Sequence, residues 1–323
     1  MEAFLIQMMI AATPVLLAGL GELVTERSGV LNLGVEGMML MGAVGAFAAA
    51  FLLGSTPLAI VIGAASGALM ALIFAVFSIS FLANQAATGL ALTIFGIGAS
   101  GLIGQPFVGQ PLEPLAKLDV PWLSDATMLG RILFAHDAMV YAALILAAAV
   151  AWFLGRTRAG LSLRAVGDNP DSAHALGLSV IRTRYLATLF GGAMAGLGGA
   201  YLSIAYTPMW GPNMTAGRGW IALALVVFAT WRPGRLVLGA YLFAAVDIMR
   251  FYAGSIDDWI CARAGLLCGG DQADRFLTQM PAQVLSMLPY LATIVALVLI
   301  SRNVALTKAN APASIGRPFR PST

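Results

Sequence analysis

Charged residues are scarce in this sequence. Only 10% of its 323 residues are charged and 59% are hydrophobic, whereas about 25% of the residues in an ordinary soluble domain are charged. This balance excludes a typical water-soluble protein. The chain instead contains long apolar runs, and about 20 apolar residues suffice for a helix to cross a bilayer. Because the runs do not alternate between apolar and polar residues, they favour membrane-spanning helices over barrel strands.

Residue patterns that carry chemistry are also lacking. The two histidines have no metal-like neighbours, and the sequence contains no zinc-ligand spacing, nucleophile elbow or Gly-x-x-x-x-Gly-Lys-Ser/Thr phosphate loop. We therefore expect no bound metal or cofactor and no ATP hydrolysis through a phosphate loop of this chain. An intramembrane enzyme is disfavoured because no apolar segment carries a paired set of catalytic groups. We do not interpret the net charge of +3 as a sign of nucleic-acid binding.

Cysteine is limited to Cys261 and Cys268, which lie seven positions apart in a polar stretch. They are either two free thiols or a local disulfide. A disulfide requires that this stretch faces an oxidising compartment.

The apolar runs predict an all-α, polytopic membrane protein with about nine transmembrane helices, within a range of eight to ten. The nine segments are residues 4–20, 33–53, 58–82, 86–103, 138–154, 185–205, 221–229, 236–251 and 282–300. The seventh segment is short, so it must include flanking residues such as Gly219 and Trp220 if it is to span.

The basic residues predict the orientation of these segments. The loop 156–184 carries five arginines against two aspartates, which assigns it to the cytoplasm. If the nine segments alternate, the C-terminus also lies inside, and the loops 106–137 and 254–281 lie outside. Residues 1–305 then form one membrane domain, and residues 306–323 are predicted to be a disordered cytoplasmic tail because the final stretch is rich in proline and serine.

Two patterns are predicted to be structural. The motifs Gly63-x-x-x-Gly67 and Gly192-x-x-x-Gly196 place small residues on one helix face and allow close helix packing. Asp247 and Arg250 lie one helical turn apart, which favours a pair that offsets burial.

The cytoplasmic loop contains a predicted short helix. Asn169 can cap its N-terminus, Pro170 suits the first helical position, Asp171 complements the helix dipole, and Gly177 is a natural C-terminal stop. Such a helix can dock into a groove on a cytoplasmic partner or rest on lipid headgroups. The residues alone leave both interpretations open.

Glu36 is the most conspicuous ionisable residue within an apolar run. Its charge is costly there and should face the protein interior or a water-filled path. Asn32, Gly34 and Gly37 permit irregular backbone around it, which is tolerated at membrane depth only where protein or a cavity covers it. The alternative is that Glu36 lies at the membrane interface and pairs with Arg27.

Arg218 opens the seventh segment between two glycines, a pattern that indicates a tight approach or a re-entrant start. Its side chain could contact a solute, a solute-binding partner or a carboxylate such as Glu36, or it could anchor the helix at the membrane surface. Asn84, Gln85 and Thr88 add polar groups at the start of the fourth segment, where they line an inner path or are simply solvated at a helix end.

Three motifs together resemble a known family. They are ERSGVLNLGVEGMMLMGA at residues 26–43, LRAVGDNP at residues 163–170 and AGRGWIALA at residues 216–224. They are similar to the ABC importer permeases for nucleosides and simple sugars, which are related to the ribose and branched-chain amino acid permeases. The stretch 230–233 (TWRP) departs from relatives, which often carry a glycine there.

The resemblance implies a set of partners and a membrane location. It makes residues 1–305 a transmembrane permease domain of the bacterial inner membrane, paired with a second, similar permease. A separate cytoplasmic ATPase would bind ATP-Mg, and a periplasmic or lipid-anchored protein would deliver the solute. The resemblance also assigns the loop helix to ATPase coupling, through Arg164, Gly167, Asp168, Asn169, Pro170, Ala173 and Gly177.

The expected function is ATP-driven import of nucleosides by alternating access. Asn32, Gly34, Glu36, Gly37, Asn84, Gln85, Thr88 and Arg218 are the candidates for the translocation path or its gate. A simple sugar or a branched-chain amino acid is an alternative solute. An ion-coupled secondary transporter, with Glu36 as a protonatable relay, is the alternative of another class.

Overall fold

The computed structural model describes residues 2–116, 118, 136–255, 257, 280–301 and 310–320. Within these ranges the named elements are helices, joined by turns and two isolated β-bridges. The α-helices are α1 (Glu2–Arg27), α2 (Val35–Leu53), α3 (Thr56–Ala75), α4 (Gln85–Gly104), α5 (Ala138–Arg156), α6 (Arg158–Asp168), α7 (Pro170–Ala175), α8 (Val180–Tyr201), α9 (Arg218–Phe228), α10 (Pro233–Met249) and α11 (Ala282–Ser301). π-Helical turns at Val76–Ser80 and Leu202–Tyr206 extend α3 and α8.

Six of these helices are long and apolar enough to cross a membrane. They are α1, α2, α5, the helices α3 and α8 with their π-helical turns, and α4 with the 3-10 turn Gln105–Phe107 that follows it. The prediction of an all-helical, multi-pass membrane protein is therefore confirmed. The number of nine spans and the cytoplasmic position of the C-terminus stay predictions.

The centre of the fold consists of α1, α2 and α8, which are largely buried by the rest of the chain. Helices α3, α4 and α5 instead expose much of their apolar surface, as residues such as Ile94, Leu102 and Trp152 show. In a membrane protein such a surface faces lipid or another membrane subunit. Exposed apolar side chains on the outer helices thus agree with a membrane environment.

Close packing of α3 against α8 depends on the two small-residue motifs. A methyl group added to Gly67 would overlap the Gly192 carbonyl, and one added to Gly196 would overlap the Gly63 carbonyl. The prediction that these motifs bring two helices together is confirmed, and they form a single interface with each other. The predicted Asp247–Arg250 ion pair also forms, at 3.4 Å.

The C-terminal part of the chain differs from the sequence-based expectation. Residues 306–323 are predicted to be disordered, yet the described residues 310–320 lie against α6 and α8 and include the buried side chains of Ser314 and Phe319. Composition favoured disorder, whereas a few backbone and side-chain hydrogen bonds to other elements determine the observed position. Cys261, Cys268 and most of the loop 254–281 lie outside the described residues.

Candidate functional site

The junction between α1 and α2 is an irregular segment, residues 28–34, that lies inside the protein. Asn32 is fully buried, and its side-chain oxygen accepts a hydrogen bond from the Gly34 N–H at 2.9 Å. The Asn32 N–H donates to a carboxylate oxygen of Glu22 at 3.2 Å. Polar groups of the chain itself therefore satisfy this non-helical backbone, as membrane depth requires.

Helix α4 covers the same junction from the other side. The Gln85 side-chain oxygen accepts from the Leu31 N–H at 2.8 Å, and the Thr93 hydroxyl donates to the Leu33 carbonyl at 3.0 Å. Gly37 lies against the backbone of α4, with no room for a side chain. The expectation that protein covers the irregular backbone is confirmed, and α4 supplies part of that cover.

Glu36, in the first turn of α2, is bound to the N-terminus of α9. One carboxylate oxygen accepts from the Thr215 hydroxyl at 2.5 Å and from the Gly217 N–H at 2.8 Å. The other accepts from the Gly219 N–H at 2.6 Å. The side chain is only 3% exposed. Unpaired N–H groups and the positive end of the helix dipole make a helix N-terminus a favourable place for a carboxylate.

The backbone before α9 is shaped for this contact. Gly217 caps α9 with φ +83°, and Asn213 and Ala216 also have left-handed backbone angles. At Gly219 a methyl group would lie 2.6 Å from the Glu36 Cα atom. The two glycines that flank Arg218 therefore permit a tight approach of α9 to α2, which confirms one of the two interpretations of that pattern.

Helix α9 is too short to cross a bilayer by itself. Its 11 residues extend about 16 Å at 1.5 Å per residue, against a hydrocarbon core of about 30 Å. The segment before it runs along α2, from Trp210, which is buried in one cluster with Phe47 and other residues of α2, to Thr215 at Glu36. Gly219 and Trp220 do belong to the helix, as the sequence requires, but they do not lengthen it enough to qualify as a span.

Arg218 does not pair with Glu36. Its guanidinium lies 5.5 Å from the centre of the Tyr206 ring and donates weakly to the Met214 and Thr215 carbonyls at 3.5 and 3.4 Å. The side chain is half-buried. The arginine thus holds the turn that precedes α9, while the backbone on either side of it binds the carboxylate.

The alternative pairing of Glu36 with Arg27 is absent, because both groups have other partners. Arg27 donates to the Trp231 carbonyl through Nε at 3.2 Å and Nη2 at 2.9 Å. The Trp231 indole N–H donates to the buried Glu26 carboxylate at 2.6 Å. The end of α1 is therefore hydrogen-bonded to the α9–α10 turn. In this turn, Thr230 and Trp231 adopt positive φ values of +49° and +54°.

The three polar residues at the start of α4, Asn84, Gln85 and Thr88, lie in different environments. Asn84 is exposed and caps α4 by accepting from the Ala87 N–H at 3.0 Å. Gln85 is buried and binds the α1–α2 junction. Thr88 is half-buried. The structure thus brings Gln85 to the site of Asn32 and Glu36, whereas Asn84 has the role of a helix cap.

Three residues of the site were not found by sequence reasoning. Glu22 and Glu26 are both buried, four positions apart on α1, and one oxygen of Glu22 has no hydrogen-bond partner among the described residues. They follow directly after the first apolar run, in the last turns of α1, and an ionisable residue so close to a membrane-spanning run is a signal because its burial is costly. Thr215 gave no such signal, since its proximity to Glu36 arises only from the path of the chain before α9.

The loop 156–184 forms two helices, where the sequence predicts one short helix. Asn169 is extended and separates α6 from α7, since a residue before proline avoids the helical region. Its side chain caps α7 by accepting from the Ser172 N–H at 3.0 Å, and Gly177 follows with φ +83°. Asp168, Asn169 and Gly177 are exposed, Arg164 and Pro170 are half-buried, and Gly167 and Ala173 are buried.

The site offers hydrogen bonding rather than covalent chemistry. Within the described residues no group of three or more His, Cys, Asp or Glu side chains is placed to hold a metal ion.

Comparison with known proteins identifies the family. The family model described as branched-chain amino acid transport system / permease component matches residues 4–301. The chain belongs to this permease family. It is therefore a transport subunit and not an enzyme in itself.

Several relatives of this permease match nearly its whole length. A putative glucose ABC transporter permease protein of Haloferax volcanii is 42% identical over 89% of this chain and 88% of its own length. A guanosine ABC transporter permease protein of Bacillus subtilis is 32% identical over 96% of this chain and 94% of its own. A nucleoside ABC transporter permease protein of Lactococcus lactis is 30% identical over 98% and 96%.

Each of these three organisms also has a second ABC transporter permease that matches this chain, at 24–29% identity. No solved structure matches the permease.

Proposed function

We propose that this chain is the membrane-spanning subunit of an ATP-driven ABC importer that moves nucleosides across the bacterial inner membrane. The observation that carries the proposal is the similarity, over nearly the whole chain, to permeases named for nucleoside and guanosine transport. Because those relatives are named ABC transporter permeases, ATP-driven import is favoured over an ion-coupled mechanism.

The second candidate solute is a simple sugar. It is favoured by the 42% identity to a putative glucose permease. A nucleoside and a monosaccharide share a ring that bears hydroxyl groups, so related pathways can serve both. ATPase stimulation by nucleosides and by glucose distinguishes the two solutes.

The proposed complex contains four kinds of component. The permease pairs with a second, different permease, which is supported by the second matching permease in each of three organisms. A cytoplasmic ATPase binds ATP-Mg and docks on α6 and α7, where Asp168, Asp171 and Leu176 are exposed. A periplasmic or lipid-anchored protein delivers the solute from the other side.

The mechanism is alternating access without covalent chemistry. ATP closes the ATPase pair, α7 passes the motion to the membrane helices, and the contact between Glu36 and the N-terminus of α9 opens and closes as part of the gate. Helix α9 suits this role because it is short and its N-terminus is held mainly by one carboxylate. Asn32 and Gln85 hold the backbone from which Glu36 extends.

The test is affinity purification of the tagged permease from its native membrane in mild detergent. We expect a phosphate-loop ATPase and a second permease to co-purify, with ATPase activity stimulated by nucleosides in the presence of the cognate binding protein. Stimulation by glucose alone would favour the second candidate. Purification of the chain alone, under conditions that preserve a known ABC importer, would contradict the proposal.

A further inference from the structure

The C-terminal segment (residues 310–320) binds two elements that are distant from it in sequence. The Ser314 N–H and hydroxyl both donate to the Gly167 carbonyl at the end of α6, at 3.0 and 2.6 Å. The Gly316 N–H donates to the Gly29 carbonyl at 3.2 Å. The segment therefore bridges the cytoplasmic loop and the α1–α2 junction, and Gly29 lies only three residues before Asn32.

Arg184 at the start of α8 depends on this segment for its hydrogen bonds. The residue is only 2% exposed, and its guanidinium donates to the Ser28 carbonyl at 3.3 Å, the Arg317 carbonyl at 3.0 Å and the Ser314 hydroxyl at 3.3 Å. A buried charge is costly unless it is hydrogen-bonded. Two of its three acceptors belong to the C-terminal segment, so the buried guanidinium would lose both of these hydrogen bonds if the segment moved away.

Phe319 supports α7 directly. It is buried in a cluster with Val166, Ala173 and Val180, and its ring lies 5.6 Å from the His174 ring in an edge-on arrangement. Helix α7 has six residues, far fewer than the roughly 12–15 that an isolated helix needs to be even marginally stable in water. Its position must therefore come from contacts, and Phe319 provides the apolar surface under Ala173.

The outward surface beside α7 is shared by the two elements. Leu176 is 83% exposed just after α7, and Asp171 is exposed on it. In the C-terminal segment, Arg317 and Arg320 are exposed on either side of Pro318 and Phe319. The side chains available to a cytoplasmic partner at this place thus combine an apolar residue and both signs of charge.

We infer that the C-terminal segment is a working part of the ATPase-docking surface. Phe319 packs against α7, and Arg320 lies beside α7 where the ATPase can contact it. Ser314 and Gly316 connect α7 to the α1–α2 junction, which contains Asn32 and precedes Glu36. This inference rests on the proposed function, because the ATPase is the partner in both. It adds a segment that lies beyond the family match, which ends at residue 301.

Chemical labelling tests the contact with the ATPase. A water-soluble maleimide is applied to Arg320→Cys permease in two preparations, the complete complex and the same complex after the ATPase has been removed, and modification is read from the mass of the C-terminal peptide. We expect the ATPase to slow modification at least threefold. Equal rates of modification with and without the ATPase would overturn the inference. Because modification is measured on the C-terminal peptide alone, Cys261 and Cys268 do not have to be replaced.

A matched pair of serine variants tests the link to transport. Ser314→Ala removes the hydroxyl that joins Gly167 to Arg184, whereas Ser179→Ala removes an exposed hydroxyl that caps no helix. In purified complexes of equal ATPase content, we expect Ser314→Ala to lower the solute moved per ATP hydrolysed at least threefold and Ser179→Ala to leave it unchanged. A purely structural role would change the yield of complex but not this ratio.

The outcomes separate the two proposals. If the wild-type permease recruits no ATPase, the proposed function fails and the inference falls with it. If the wild type recruits an ATPase and transports, while Ser314→Ala keeps the wild-type ratio and Arg320→Cys is labelled equally in both states, the inference alone is wrong. The labelling result stands even if Ser314→Ala does not assemble, because Arg320 is exposed.

Discussion

Glu36 shows how one buried carboxylate can organise a membrane protein without a counter-cation. All of its described partners are hydrogen-bond donors at the start of α9, two of them backbone N–H groups. Hydrogen bonds to a charged group each contribute about 1.5–3 kcal/mol. Because three of them meet on one residue, Glu36 determines where α9 begins relative to α2.

Replacement of this carboxylate by an amide should disturb the contact without changing side-chain size. In Glu36→Gln, the amide NH₂ group would face one of the N–H groups that now donate a hydrogen bond to the carboxylate. We expect the loss of one charge-assisted bond, about 1.5–3 kcal/mol, to lower solute uptake about tenfold or more with normal membrane insertion.

Uptake of labelled solute by cells or proteoliposomes measures this effect. Glu113→Gln is the control, since Glu113 is exposed in the loop after α4 and should transport normally. Unchanged uptake by Glu36→Gln would remove Glu36 from the gate.

At the scale of the elements, the contact of α3 with α8 and the contact of α9 with α2 have a common basis in glycine. Glycines at the α3–α8 interface let the two backbones touch, and Gly219 lets the first turn of α9 lie against Glu36 of α2. Without side chains between them, helices can gain van der Waals contact that lipid tails would otherwise provide.

A bulkier residue at the α3–α8 interface should prevent assembly of the fold. In Gly67→Val, the new side chain would overlap the backbone of Gly192 and Gly196. Overpacking of this kind costs about 1–3 kcal/mol or more, and we expect a lower yield of monodisperse protein and a thermal midpoint reduced by several degrees.

Fluorescence-detected size exclusion with a temperature series measures both quantities. Ala65→Val is the matched control, because Ala65 lies two positions away on the exposed face of α3. Equal thermal midpoints for the two variants would show that the α3–α8 contact does not limit stability.

At the scale of the whole molecule, the described helices place the functional features at two levels. The Glu36 contact lies inside the fold, whereas α6, α7 and the C-terminal segment form one end of it together with the end of α1. A motion of α7 can therefore reach the interior through packed and hydrogen-bonded groups. The arginines of the loop 156–184 predict that this end lies on the cytoplasmic side.

Cysteine accessibility in intact cells tests this orientation. We expect a membrane-impermeant maleimide to modify Glu113→Cys from outside and to spare Leu176→Cys, which should react only after the membrane is opened. Both positions are exposed in the permease itself, and the permease is expressed without its ATPase so that a docked partner does not shield Leu176. Modification of Leu176→Cys in intact cells would reverse the predicted topology.

The sequence by itself determined the membrane class, the helical segments and the local signals at their ends. Apolar runs, the Asn169 cap, the left-handed Gly177 and the Gly-x-x-x-Gly motifs depend on residues close together in the chain, so each could be predicted from composition and spacing. The same local reasoning gave Glu36 and Arg218 as candidates for the translocation path.

Only the tertiary structure decided how those residues combine. It placed Thr215 and the α9 backbone on Glu36, residues about 180 positions away in sequence, and it turned Arg218 toward Tyr206. It also placed the C-terminal segment against Gly167 and Arg184 despite its disorder-prone composition. These contacts join elements that are distant in sequence, so the partner that each residue meets follows from the packing of whole helices and is not contained in local residue patterns.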